Sequence, residues 1–352
     1  MKPHTYFILL LALLSCKGTR HASINSLRKE GEIKNKNLPR QANAYFWKYF
    51  HAGNYKRIDT IISLLNRAHR EFPNDIETIN HLGFTHIWAL SERARLEKIP
   101  VSIKQHAEKA LNYFKLSYAI NPDDPRILGF LADSKMIVGN IKNNQKLQRE
   151  GYFTGKKAIR QWKSFNYFTI GYPLSKLPRT TWQYKKALQW QWKTLQKCYQ
   201  KKIDTTQPYD FLCLPLGKMV SSRRQRACRN SWIAPHNIEG FYLNLGDMLV
   251  KNQQWKKAIE IYRIPQQLPS YSRWPFREVL EKRINNAQKN TRNFIIKTID
   301  SSTNNTETTL LINTKISCVV CHQHSKKDSI NYAEFNWNRF KHYSNLSPYK
   351  KY

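Results

Sequence analysis

Acidic residues are scarce in this 352-residue chain: 24 Asp+Glu stand against 59 Lys+Arg, a formal net charge of +35. Glycine is scarce too, at 12 residues, which argues against a turn-rich all-β fold. Methionine occurs only as Met1, Met136, Met219 and Met248. No apolar run reaches the roughly 20 residues that a bilayer-spanning helix needs. There is no Ser-His-Asp arrangement, no phosphate-cradling glycine loop and no clustered carboxylate pair, so an enzyme is the weakest of the functional expectations. What the chain does have is 41% hydrophobic and 13% aromatic residues, enough to bury a real core.

An excess of cations this large suits a polyanionic partner: nucleic acid, an anionic membrane or envelope surface, or an acidic protein. The cations are spread along the whole chain rather than gathered in a stripe, which disfavours nucleic acid. The alternative is a genome-wide compositional bias toward Lys and Asn, which needs no partner.

Near the start, Lys2 precedes the apolar run Phe7 to Leu14, which ends at Ser15-Cys16. That run has the length of a signal-peptide core. Leu13-Leu14-Ser15-Cys16 resembles the lipobox of bacterial lipoproteins. The resemblance implies export, cleavage before Cys16 and acylation of that cysteine, with each buried CH₂ adding roughly 0.8 kcal/mol of membrane affinity. Residues 1–16 are therefore expected to be signal and lipidation site, on the periplasmic face or at the outer membrane of a bacterial envelope. Residues 17–41, polar, cationic and unpatterned, read as a flexible tether that favours an anionic leaflet.

Residues 42–290 carry helical periodicity and three stretches of related spacing. Ala68 and Pro73 precede Leu82-Gly83. Ala110, Phe114, Ser117 and Pro122 precede Leu131-Ala132. Leu245-Gly246, Leu249, Trp255, Ala258 and Tyr262 form the third. The pattern resembles the tetratricopeptide repeat, in which a small residue lets two helices approach and a large one fills the groove beside it. The resemblance implies an all-α array of helix pairs with a surface for a protein partner. Asn74-Asp75 and Asp123-Asp124 read as interhelix turns. Trp182 to Tyr199 reads as a Trp-rich packing helix, and Trp232 to Asn237, around the lone His236, as a turn or helix cap rather than a functional site.

Of six cysteines, Cys16 is assigned to the lipid. Cys318-Val319-Val320-Cys321-His322 is a CxxCH sequence, a pattern that chance places in this composition roughly 0.003 times. It resembles the attachment site of c-type cytochromes. Thiols three positions apart reach two vinyl groups of one haem, and the adjacent His ligates iron. The resemblance implies one covalent haem c held by Cys318 and Cys321, with His322 as axial ligand. No Met follows the motif, so His342 is the expected sixth ligand, with Met219, Met248 or an open position as alternatives. Two other readings remain: a Cys₂His₂ zinc site from Cys318, Cys321, His322 or His324, and His342, or a redox-active Cys318–Cys321 pair. Cys198, Cys213 and Cys228 are left. One disulfide and one free thiol account for them, with Cys198–Cys228 preferred over Cys213–Cys228 because it ties the Trp-rich helix to the approach of the third repeat. Residues 291–315 read as a Ser/Thr/Asn-rich linker, and 316–352 as a short, loop-rich tail. The whole suggests an anchored helical scaffold that binds a protein and passes electrons through one haem, or a scaffold in which the CxxCH is merely structural or zinc-bound.

Overall fold

Helix starts are written into the turns. Asp75 accepts a hydrogen bond from the Thr78 amide, Asp124 from the Arg126 amide with Pro125 in the first turn, Asn144 from the Leu147 amide, and Thr181 from the Tyr184 amide. Each satisfies one of the donors that a helix leaves open at its N-terminus. The computed structural model describes residues 37–205, 227–296 and 308–325. The described residues from Leu38 onward form one compact unit. Among the described residues there are thirteen α-helices and no strand: α1 Leu38–His51, α2 Ile58–Glu71, α3 Ile76–Ser91, α4 Gln105–Ile120, α5 Pro125–Ile141, α6 Gln145–Gln161, α7 Lys163–Leu174, α8 Trp182–Tyr199, α9 Asn237–Lys251, α10 Trp255–Arg263, α11 Arg277–Asn285, α12 Ala287–Ile296 and α13 Val319–His322.

Successive helices pack as neighbours, α2 on α3, α4 on α5, α7 on α8 and α9 on α10, and each pair lies against the next. This is an all-α helix-pair array. Small residues set the closest approaches. A Cβ on Gly83 would lie 2.8 Å from the Phe114 ring, and one on Gly246 would overlap the Tyr262 ring. Phe114 and Tyr262 are fully buried in those grooves, the ridge-and-groove packing that helix surfaces impose.

The array does not stay open. The short helix α13 packs on both α9 and α1. One apolar core runs from Leu38, Phe46, Trp47 and Phe50 of α1, through Phe241 and Leu245 of α9, to Ile316, Val319 and Val320. Two smaller cores lie between α5 and α8, and between α3 and α5. The first helix and the last described turn therefore share one interior.

The boundaries differ from those read off the sequence. Helix α1 begins at Leu38, whose side chain is buried, inside the expected tether. Helix α12 runs to Ile296, past the expected linker start at 291. Thr309, Leu310 and Leu311 are buried as well. Their backbone is satisfied by a buried ion pair: Arg283 Nε stands 2.9 Å from Asp247 Oδ1, Arg283 donates to the Thr309 carbonyl, and the Leu311 amide donates to Asp247 Oδ2 at 2.7 Å. Polar composition hid a segment whose two leucines seat in the core. Cys198 and Cys228 are joined in a disulfide, Cα atoms 5.3 Å apart across 30 residues of sequence. Closing a loop of that length contributes about 3–4 kcal/mol in the chain-entropy picture. Among the described residues no helix is long and apolar enough to cross a membrane. Cys16, Cys213, Met219, His342 and the tether up to residue 36 lie outside the described residues.

Candidate functional site

The CxxCH sequence forms a single helical turn, α13, with Cys318 in the N-cap position. Both thiols are free and half-buried. The turn is held by residues far away in sequence. Glu92, at the end of α3, is fully buried, and its Oε1 accepts the amides of Cys318 and Val319, each at 2.9 Å. Its Oε2 accepts Trp88 Nε1 at 2.9 Å and lies 2.9 Å from Arg95 Nε. A carboxylate with four donors around it thus caps the motif in place of a local N-cap side chain. Trp274 Nε1 donates to the Val320 carbonyl, the His236 amide to the Cys321 carbonyl, and the Tyr172 hydroxyl to the Ser317 carbonyl. On the far side Cys321 Sγ lies against Gly240 of α9, where a Cβ would overlap the sulfur.

His322 follows at the end of the turn. Its Nδ1 stands 2.8 Å from the Ile233 carbonyl oxygen and its ring 4.9 Å from that of Phe50. A carbonyl only accepts, so Nδ1 carries the proton and Nε2 keeps the lone pair. Burial, partly offset by this hydrogen bond, lowers the His322 pKa to about 4, so the ring is neutral at physiological pH. His51 Nε2 reaches the same carbonyl at 3.0 Å. His324 donates its amide to the His51 carbonyl at 2.9 Å, and the two rings are 4.6 Å apart.

Burial pushes the Cys321 thiol up to about 12, with the Glu239 charge adding to it. Burial, then Glu92, raises Cys318 well above the ordinary thiol range. Reactive cysteine pairs need a depressed pKa, because the thiolate is the nucleophile and the metal ligand. Among the described residues no group of three or more His, Cys, Asp or Glu is placed to hold a metal ion. The proposed zinc set includes His342, which is outside them.

The same residues are of the kinds that could hold a c-type haem. Two unpaired thiols sit at i and i+3 on one turn, and the neighbouring imidazole is neutral. Its proton is fixed on Nδ1 by a backbone carbonyl, the outer hydrogen bond that orients a ligating histidine. Met248 is not part of this site. It is fully buried in another core with Tyr184 and Trp190, and its Sδ accepts from Asn244. His236 occupies the N-cap position of α9, its side chain near Glu239 at 3.4 Å and its amide on Cys321.

Sequence reading did not find His51, Glu92, Gly240 or the Ile233 carbonyl. Glu92 had a signal, a lone acid closing the apolar stretch Ile87-Trp88-Ala89-Leu90. Gly240, inside a helical pattern, had another. A carbonyl has none. No family model matches the chain, and no curated protein and no solved structure is detectably similar to it.

Proposed function

We propose that this is an exported, lipid-anchored helical scaffold that binds a protein partner and carries one covalent c-type haem for electron transfer. The observation that carries the reading is the CxxCH turn itself: two free thiols and a neutral imidazole with its proton already directed at Ile233. A bound haem would supply one-electron chemistry at its iron. Cys318 and Cys321 would each add S–H across a vinyl group, sulfur to one carbon and proton to the other, so that no oxidant is consumed. His322 would present Nε2 to the metal. His342 is the candidate for a second protein ligand, and bis-His ligation would favour a lower potential than His/Met.

Export and anchoring rest on the run Phe7 to Leu14 and on Cys16. They agree with haem attachment, which in bacteria occurs outside the cytoplasm. Partner binding rests on the helix-pair architecture and on exposed aromatics, with Trp182 and Phe153 both more than half exposed on either side of Tyr152. A second reading is a scaffold without redox chemistry, in which the turn only clasps the two ends of the array. The seating of Cys321 on Gly240 favours it.

Co-expression with cytochrome c maturation machinery separates the two. The electron-transfer reading expects one haem per chain by pyridine haemochrome, lost when Cys318 and Cys321 are both replaced by Ala. Unmodified thiols in the tryptic peptide spanning 316–326 would leave only the scaffold.

A further inference from the structure

His51 and His322 lie 271 positions apart in sequence yet meet at one oxygen. His51 Nε2 is 3.0 Å and His322 Nδ1 is 2.8 Å from the Ile233 carbonyl. A carbonyl oxygen carries two lone pairs and no proton. Both nitrogens must therefore be N–H donors, which sets opposite tautomers on the two rings: Nε2–H on His51 and Nδ1–H on His322. In an imidazole Nδ1 and Nε2 are on opposite flanks. His51 therefore lies on the Nδ1 side of His322, away from the Nε2 lone pair that a bound metal would use, and its own Nε2 proton is engaged with Ile233.

The placement of His51 is not loose. Its residue is 1% exposed, its ring packs against Trp47 at 5.0 Å and His324 at 4.6 Å, and its own carbonyl accepts the His324 amide at 2.9 Å. The last residue of α1 thus grips the motif twice, through the main chain at His324 and through the side chain at the acceptor of His322.

We infer that His51 is a positioning residue that tunes His322 by sharing its hydrogen-bond acceptor. This rests on the haem reading for its redox consequence, though not for its geometry. An oxygen divided between two donors bonds each less strongly than it would bond one. A stronger Nδ1–H···O bond raises the basicity of a ligating imidazole, and a more basic ligand stabilises the oxidised metal. Removing the second donor gives the whole carbonyl to His322, which strengthens that bond and lowers the midpoint potential. A side chain that restores a donor at the position of His51 Nε2 reverses the effect.

Two variants of the full chain test it, His51→Phe, which keeps a packed ring but no donor, and His51→Gln, whose amide nitrogen replaces Nε2. In the haem-free chain labelled with ¹⁵N-histidine, long-range ¹H–¹⁵N correlation reads the tautomers directly. The parent is expected to show His322 as Nδ1–H and His51 as Nε2–H. The His322 Nδ1 proton moves downfield in His51→Phe and returns in His51→Gln. In haem-loaded protein the midpoint potential falls in His51→Phe and returns to the parent value in His51→Gln. His322 as the Nε2–H tautomer, or a Nδ1 proton indifferent to His51→Phe in a chain with parental circular dichroism, overturns the inference. Absence of haem by pyridine haemochrome overturns the haem reading alone, because the tautomer measurement still decides the role of His51.

Discussion

Glu92 is the residue on which docking of the CxxCH turn depends most. Its carboxylate has no exposed surface and is surrounded by four donors: the Cys318 and Val319 amides on one oxygen, and Trp88 Nε1 and Arg95 on the other. Glu92→Gln keeps the shape but replaces one acceptor oxygen with an NH₂ group, so two donors must face a donor. Hydrogen bonds to a charged group contribute about 1.5–3 kcal/mol each. Losing two, with modest relaxation, gives a loss of roughly 3–5 kcal/mol, a large share of the 5–15 kcal/mol that folded domains possess. If Gln turns its NH₂ toward Cys318 and Val319, the loss appears first as local opening of residues 315–325 rather than as global unfolding. Urea unfolding followed by tryptophan fluorescence gives the first quantity. Amide hydrogen exchange at Cys318 and Val319 gives the second. A loss below about 1 kcal/mol, together with unchanged protection of both amides, would refute the capping role.

Three further outcomes are expected at other sites. Gly240→Ala puts a methyl group into overlap with Cys321 Sγ, so the Cys321 side chain or the turn that carries it must give way, and alkylation of Cys321 in the haem-free protein is expected to speed up; an unchanged rate would mean that the turn is not seated on α9. Arg283→Met leaves Asp247 as an uncompensated buried charge and frees the Thr309 carbonyl, a destabilisation of about 3–5 kcal/mol measurable in urea, with proteolysis appearing first around residues 308–312. Burial raises Asp133 to about 7, with Lys176 opposing; a carboxyl whose folded pKa is raised supports the fold most fully below its unfolded pKa of about 3.9 and loses that support as pH rises through about 7. Asp133→Asn is therefore expected to flatten the fall in stability that the parent shows as pH rises from about 4 to about 7, and a parent–variant difference independent of pH in thermal melts would contradict this.

The helices, their turns and the cysteine motif were legible because each is a local pattern. Asp75 and Asp124 cap helices from the positions their side chains dictate. Gly83 and Gly246 leave gaps that Phe114 and Tyr262 fill, and Cys318 and Cys321 fall on one helical turn because 3.6 residues complete it. What the tertiary structure alone decided is how the ends meet. Leu38 lay in an apparently polar tether and Leu310-Leu311 in an apparently polar linker, yet both are core, because burial depends on the surface a residue faces and not on the composition around it. Glu92 reaches Cys318 across 226 residues, and His51 and His322 converge on a main-chain oxygen. No periodicity records such contacts, since a carbonyl is the same in every residue and its partner is chosen only when the chain closes on itself.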